Sequence, residues 1–513
     1  MPGPWYTKLT GIERKYHAWQ HKEHHYFLRM FEKYGPIVRV GPTRVGVGEI
    51  TMFRDVMSTH EITKAQMYTH YSIFGENIFN TRNPEFYKAR RRQIGPAFAS
   101  AYVRKMEPLL RNEGVESLCR LFDTQISAAN LRNKDSAVTN LYFALSMMAT
   151  DIISSLAYGR RFSAVDSMVA KAEASPELAQ QSASQKYIET DKGVSNTKAQ
   201  ESAQTILEYM LASLALMGVR AEAPFIGNLP LRMLPHRIQN LYALCDKFIE
   251  FTCSTVAQYR AQISQSMDGR NDILSAYITA RDPETGETLS DYEIGSECVV
   301  LLTAGTETVA STMVNCVRLL LRNPDKYNRV RNELRAAFPG GVETITYTKA
   351  LEKLPYLIAV IYETMRLRSS NSGVWPWDAP RHSGVTIGDY FIPPGTVICG
   401  SIGGVHLNPD TWSQPKKFVP ERFLGEDGEQ LKRNVVGFSS GVRVCPGKHL
   451  AMMEMTMTLS TILLKYDFAL VSDSTDQASD KDYYTEVDEL CHITTSFRNP
   501  ERDCNYIISH SNY

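Results

Sequence analysis

The residues best suited to chemistry lie close together near the C-terminal end, in the stretch Phe438-Ser-Ser-Gly441-Val-Arg443-Val-Cys445-Pro446-Gly447. Pro-Gly directly after a cysteine stops the chain from continuing as a strand and lets backbone N–H groups curl toward the sulfur. Hydrogen bonds of that kind favour a thiolate, which is a strong soft ligand for iron. Arg443 is a fixed cation suited to a carboxylate. Gly441 permits a backbone angle that other residues resist, and Phe438 gives an apolar wall over the sulfur. A buried structural cysteine beside a surface turn would account for Cys-Pro-Gly alone. The full spacing, with a helix-like run over residues 448–464 behind it, points instead to a metal ligand.

A second constellation lies upstream. Ser290-Asp-Tyr-Glu293 has the form of a capping box, and a helix begun there runs to Arg322, where Asn323-Pro324 ends it. About 32 residues make it on the order of 48 Å long, enough to cross the whole molecule. Its middle, Cys298-Val-Val-Leu-Leu-Thr-Ala304, is apolar all round and is expected to be buried. Within it stands Ala304-Gly305-Thr306-Glu307-Thr308. Glycine at a helix centre costs roughly 1 kcal/mol relative to alanine, so it needs a reason: Ala304 and Gly305 leave room for a flat group to lie against the helix. Thr308 falls on the face of Ala304, and its hydroxyl can bond the carbonyl a turn earlier and widen the helix there. Glu307 offers a carboxylate and Thr308 an alcohol for moving protons. Small residues for helix packing, beside an incidental acid, are the plainer alternative.

With the spacing Phe-x-x-Gly-x-Arg-x-Cys-x-Gly, the chain from about residue 25 onward resembles the cytochrome P450 superfamily, the haem-thiolate monooxygenases. The resemblance implies a mainly α fold with small β-sheets: one large domain with a long central helix over the haem. It implies Cys445 as axial ligand of a haem b iron, Arg443 on a haem propionate, and Ala304, Gly305, Phe438 and Gly447 against the cofactor. It makes Glu307 and Thr308 the acid–alcohol pair that supports O–O cleavage. Glu363 and Arg366 are neighbours on one helix face; buried, they need further partners, or desolvation outweighs their attraction. The resemblance supplies one, Arg422 of Pro420-Glu421-Arg422-Phe423, and gives all three a structural role in holding the cysteine loop.

Residues 87–98 resemble the family's third helix, which usually carries Trp-x-x-x-Arg. Tyr87 stands where Trp or His is usual, and Arg91 where the propionate-binding arginine falls. Arg381, after Pro380, is a further propionate candidate. Arg90 and Arg92, with Lys432, Arg433 and Lys448, are candidates for a basic face that meets an acidic electron donor; a solvated basic helix is the other reading of Arg90 and Arg92. Substrate contacts are assigned by resemblance to Phe74, Ile78, Val300, Val374, Trp375 and Ile493. The two tryptophans of Gly373-Val-Trp375-Pro-Trp377 either wall a flat hydrophobic substrate or belong to the core.

Bulk properties agree with this reading and exclude others. The 513 residues are 43% hydrophobic and 22% charged, a normal globular composition. Lys plus Arg and Asp plus Glu both number 56, so no global field favours nucleic acid. Nine scattered cysteines without Cys-x-x-Cys argue against a disulfide scaffold or a zinc site. The glycines of residues 41–48 lack the third glycine of a dinucleotide fingerprint. No run of about 20 apolar residues opens the chain. Residues 1–24, beginning Met1-Pro2-Gly3-Pro4-Trp5, are expected to be a hinge segment whose upstream anchor is absent or removed, and residues 25–513 the catalytic domain. With such an anchor the protein would sit on the cytosolic face of the endoplasmic reticulum; as given it reads as a soluble monomer.

Short strands are expected at residues 36–40, 43–47, 385–392, 397–402 and 505–509, and helix mainly over residues 85–335. Residues 171–202 read as a surface insertion and 471–486 as a loop. The function this resemblance implies is a monooxygenase. It would use O2, and electrons from an NADPH-cytochrome P450 reductase, to hydroxylate, epoxidise or oxidatively couple a hydrophobic small molecule. Local texture such as Phe74-Gly-Glu-Asn-Ile-Phe79 resembles filamentous-fungal members and suggests secondary metabolism. A haem-thiolate isomerase or peroxygenase, and a non-catalytic haem or gas sensor, are the alternatives.

Overall fold

A computed structural model of the chain describes all residues except 73, 175–202, 266–270, 472–488, 492–493 and 512–513. Most of the expected insertion and of the expected polar loop, and Ile493, therefore lie outside the described residues; residues 171–174 end the helix Ala164–Ala174. The central helix spans Asp291–Leu321, and its start is the capping box expected from the sequence. Ser290 N–H donates to the Glu293 carboxylate at 2.9 Å, and Glu293 N–H donates back to Ser290 Oγ at 3.3 Å. The helix packs most extensively against Leu141–Tyr158. That 18-residue helix is long and apolar enough to cross a membrane, yet 89% of it is buried, so its apolarity serves the core. Behind the cysteine loop, Lys448–Lys465 forms the third helix of this core. The hydrophobic cluster that joins the three takes in Leu145, Ile152, Met313, Val317, Met453 and Leu459.

A five-stranded sheet lies beside this helical body. Its strands run in the order Ile37–Gly41, Arg44–Val47, Val397–Ser401, Val374–Asp378, Thr63–Lys64. Only the pairing of Arg44–Val47 with Val397–Ser401 is parallel. The strand over Val374–Asp378 was not expected. Pro376 at its centre removes a ladder donor, and proline in so short a run argues against a strand from sequence. Here Pro376 uses its carbonyl instead, accepting from Ala65 N–H at 3.2 Å. The expected run at 385–392 is a hairpin, Val385–Ile387 with Tyr390–Ile392. The tail strand Asn505–His510 sits between Ala137–Asn140 and Tyr466–Leu470, neither of which the sequence pattern revealed.

The opening residues are not a detached hinge. Arg39 N–H donates to Pro2 carbonyl at 2.7 Å, Thr7 is buried, and Ile12–Trp19 is a helix. Pro2 thus continues the hydrogen bonding of the first strand, which is why no structural break falls at residue 24.

One buried ion pair ties the helical body to the cysteine loop. Glu363 and Arg366, on the helix Pro355–Leu367, are bidentate at 2.8 Å for both bonds, with side chains fully buried. Arg366 spends its remaining N–H groups on the carbonyls of His406, Pro415 and Lys417, at 2.9, 2.6 and 3.1 Å. Glu363 accepts further from Val419 N–H at 2.8 Å and Arg422 Nε at 3.3 Å. With every donor and acceptor used, Coulomb attraction offsets desolvation. His406 carries the connection onward: burial, with Arg366 nearby, depresses its imidazole to about 3, so it is neutral, and its Nε2 accepts from Val436 N–H at 2.8 Å. Glu363→Gln leaves Arg366 an uncompensated buried charge and is expected to destabilise the fold by about 3–5 kcal/mol. Urea unfolding of the variant checks this; a loss below 1 kcal/mol would show that the pair is dispensable.

Candidate functional site

The cysteine loop is shaped by its backbone. Gly441 has φ +59°, and a Cβ there would lie 2.1 Å from the Met57 carbonyl oxygen, so both angle and space demand glycine. Cys445 N–H donates to Phe438 carbonyl at 2.8 Å, closing the loop, and Phe438 packs on the main core. The N–H groups of Gly447 and Lys448 point at the Cys445 sulfur, as the Pro-Gly turn requires, and pull its pKa down. Burial is the larger influence and leaves the free thiol above its ordinary value, while Arg91 and Lys448 oppose it as nearby cations. A cation bonded to the sulfur would reverse that balance, because only the thiolate coordinates.

The central helix presents different residues on different faces, and the expectation of an all-round buried middle fails. Val300 and Thr308 are half-buried and Ala304 is exposed, forming one open face at four-residue spacing. Gly305 does not belong to it. A Cβ on Gly305 would meet Ile153 at 2.8 Å, so the glycine allows close approach of the Leu141–Tyr158 helix. About 100° of helical rotation per residue separates it from Ala304. Thr308 Oγ1 donates to Ala304 carbonyl at 2.7 Å, while the helix stays regular α throughout. Glu307 turns to partners that the sequence did not suggest. One carboxylate oxygen accepts from Tyr142 OH and the other from Thr494 Oγ1, both at 3.3 Å. They come from residues 165 and 187 positions away in the chain, which no local spacing reveals.

Arg443 is nine-tenths buried, and its Nε and both Nη atoms have no hydrogen-bond partner among the described residues. Its guanidinium lies 3.7 Å from the Tyr87 ring centroid, and Tyr87 OH donates to Val442 carbonyl at 2.9 Å. The tyrosine that replaces the usual tryptophan thus stacks under the cation and ties the loop. Arg91, on Pro84–Ile94, also has a buried Nη1 without a partner. Arg381 differs: it lies exposed in the turn that follows Val374–Asp378. Neither Arg90 nor Arg92 belongs to a free basic face. Buried Arg90 pairs with Glu293 at 2.7 Å and Glu297 at 3.4 Å, and Arg92 with Asp282 and Glu284 at 3.0 Å each.

Of the substrate candidates, Val300 lies on the open helix face and Trp375 is half-buried in an aromatic group with Tyr68 and Phe79, with ring centroids 6.4 Å apart. Val374 is on the other face of its strand, packed on the cluster that contains Tyr26, Phe27 and Cys399, because successive strand residues alternate. Phe74 is buried in stacking on Tyr292, with centroids 5.4 Å apart. Buried Ile78 donates its N–H to Glu297 at 3.0 Å. Asn77 Nδ2 bonds Ser296 Oγ at 3.2 Å, so this loop is fastened to the first half of the central helix.

Residues 1–486 match the cytochrome P450 family, and the chain belongs to that family of haem-thiolate monooxygenases. It is 28% identical to cytochrome P450 monooxygenase helB2 of Aspergillus fumigatus, over 99% of this chain and 93% of that protein. It is 27% identical to cytochrome P450 monooxygenase BipB of Cochliobolus sativus, over 93% of this chain and 86% of that protein. The crystal structure of the cytochrome P450DA heme domain shares the fold, with a TM-score of 0.73 at 16% identity, covering 100% of this chain and 98% of that one. The family implies a haem-iron cofactor, and the residues present fit it. The unpartnered nitrogens of Arg443 and Arg91 suit carboxylates, the sulfur of Cys445 is held by two N–H groups, and the face of Ala304 is open.

Burial pushes Glu297 up to about 7, against Arg90 and Ile78 N–H, which pull it down, while Glu293 adds to the rise. A carboxyl raised on folding stabilises fully below the ordinary carboxylate range, and that contribution is lost as pH rises through about 7. Relative to Glu297→Gln, which does not titrate, wild-type stability should fall by about 2.5 kcal/mol between about pH 5 and about pH 8. Urea unfolding of both proteins across that range measures it, and parallel pH profiles would remove Glu297 from the titration.

Proposed function

We propose that this protein uses O2 and two electrons from an NADPH-dependent reductase to oxidise a hydrophobic small molecule of fungal secondary metabolism. The carrying observation is the buried guanidinium of Arg443, without acceptors among the described residues, two residues from a sulfur cradled by backbone N–H groups. In the net reaction a C–H bond, O2, two electrons and two protons become C–OH and water; epoxidation or oxidative coupling uses the same supply of electrons and protons. Haem b, when bound, supplies the iron at which dioxygen is reduced and its oxygen transferred.

This chain's residues supply the rest. Cys445 would ligate the iron through its thiolate, and Arg443 and Arg91 would neutralise the propionates. Val300 and Ala304, with Trp375 and Phe79, offer apolar contacts to a flat substrate. Thr308 donates its own proton to Ala304 carbonyl, which leaves its lone pairs to accept from water. Glu307 is the ionisable member, held by Tyr142 and Thr494, and would pass protons to the water that Thr308 holds. Arg433 and Lys448 remain as the basic groups for the reductase once Arg90 and Arg92 are taken up internally and Lys432 is paired with Glu429.

The relatives named above are fungal enzymes, which supports the metabolic setting. Exposed Trp5, Leu9, Ile12 and Trp19, with Phe225 and Met233, support seating on the cytosolic face of the endoplasmic reticulum membrane. Cys445→Ala should abolish the red-shifted Soret band of the ferrous carbonyl complex; a band kept at its wild-type position would place the ligand elsewhere. Thr308→Ala should keep that band, lower coupled product formation on the order of a hundredfold with reductase and NADPH, and raise peroxide release. Turnover supported by peroxide alone, with none from reductase, would overturn the monooxygenase reading.

A further inference from the structure

Trp377 is 3% exposed, and its indole Nε1 is buried without an acceptor among the described residues. An indole N–H can only donate, and when buried it usually finds a partner. Its surroundings hold donors and cations, with no free acid among the described residues to receive them. The Arg443 guanidinium carbon lies 5.8 Å from the Trp377 ring centroid, with all three of its nitrogens unpartnered. Lys64, the cross-strand neighbour of Trp377, has its ammonium buried between the rings of Tyr68 and Phe79 and bound to Phe79 carbonyl. The adjacent carboxylate, Asp378, is taken by Arg82 at 2.7 Å. The four buried donor atoms left without acceptors among the described residues, Trp377 Nε1 and the three Arg443 nitrogens, suit an oxygen-rich anion among them.

A haem carboxylate neutralised by Arg443 has two oxygens and about four lone-pair positions, enough to accept from a guanidinium and an indole together. Arg381, the residue that resemblance suggested for an additional contact, lies four positions further on in an exposed turn. We infer that Trp377, not Arg381, is the further cofactor-binding residue of this chain, its indole N–H donating to the same haem carboxylate that Arg443 neutralises. A neutral donor adds no positive charge near the iron, so it holds the carboxylate by direction more than by field. The inference rests on haem occupying this site, which the ferrous carbonyl spectrum of the wild-type holoprotein tests separately.

Haem transfer to apomyoglobin and the ferric/ferrous potential, measured on holoprotein, give readouts other than turnover. Trp377→Phe should release haem about tenfold faster, the loss expected for one hydrogen bond to a charged group, and shift the potential negative, with the thiolate band intact. Trp377→His keeps an N–H donor and should restore most of the wild-type rate, while Arg381→Ala should match wild type. Haem loss from Trp377→Phe at the wild-type rate overturns the inference. So does Trp377→His releasing haem as fast as Trp377→Phe, which would mark a packing role, or Arg381→Ala showing the tenfold effect. Should Trp377→Phe fail to fold, the propionate bending band in the resonance Raman spectrum decides: a band insensitive to H2O/D2O exchange in wild type and unshifted in Trp377→His overturns it.

Discussion

A carboxylate and a guanidinium with no access to water set the geometry of the proximal half of this molecule. Glu363 and Arg366 would be an expensive pair alone, since the interior strips both of hydration. They are tolerable because every remaining hydrogen-bonding position is filled from segments that must come close: residues 406, 415, 417, 419 and 422. The pair therefore acts as a jig. From His406 the restraint passes to Val436 N–H, one residue before the glycine whose carbonyl accepts from Asn371 Nδ2. Cys445 then takes its position from Phe438 carbonyl and from the turn at Gly441. A metal ligand needs placement to a fraction of an ångström, and here that placement is transmitted by fully satisfied polar contacts.

The central helix solves the opposite problem, since one side must stay open while the others pack. Its small residues divide the work by rotation. Ala304 keeps the cofactor side clear, Gly305 admits Ile153 of the neighbouring helix, and Gly295 makes room for Phe74. The first half is fastened to residues 74–80 through Ser296 and Glu297, so the loop expected to border substrate is anchored by polar contacts to the helix that borders the cofactor. Glu307 faces away from that anchor, toward Tyr142 and Thr494. The acid is thus oriented by elements from both ends of the chain.

Charge distribution follows one rule across the site. Cations with structural duties, Arg90, Arg92 and Arg82, have carboxylates beside them. Arg443 has only rings, and an unpartnered guanidinium in the interior is too costly to persist unless an anion completes it. This contrast separates binding residues from scaffold residues more sharply than position in a motif; exposure sets Arg381 apart from the cofactor, and an unsatisfied buried indole N–H is what brings in Trp377.

The sequence alone was enough for the elements whose chemistry is local. The capping box of the central helix, its end before Pro324, the glycine at 441 and the Pro-Gly turn behind Cys445 each depend on residues within a few positions of one another. The order of Glu363, Arg366, Arg422 and Cys445 added the class of fold. Tertiary structure alone decided whatever depends on which face of an element meets which neighbour. Gly305 and Ala304 are adjacent in sequence but serve different surfaces, and Val374 and Trp375 point to opposite sides of a strand that Pro376 disguised. The partners of Glu307 and Arg90 are separated from them by long stretches of chain, as Arg443 is from the Trp377 ring beside it. Spacing can specify a periodicity, but burial and pairing are properties of the assembled molecule.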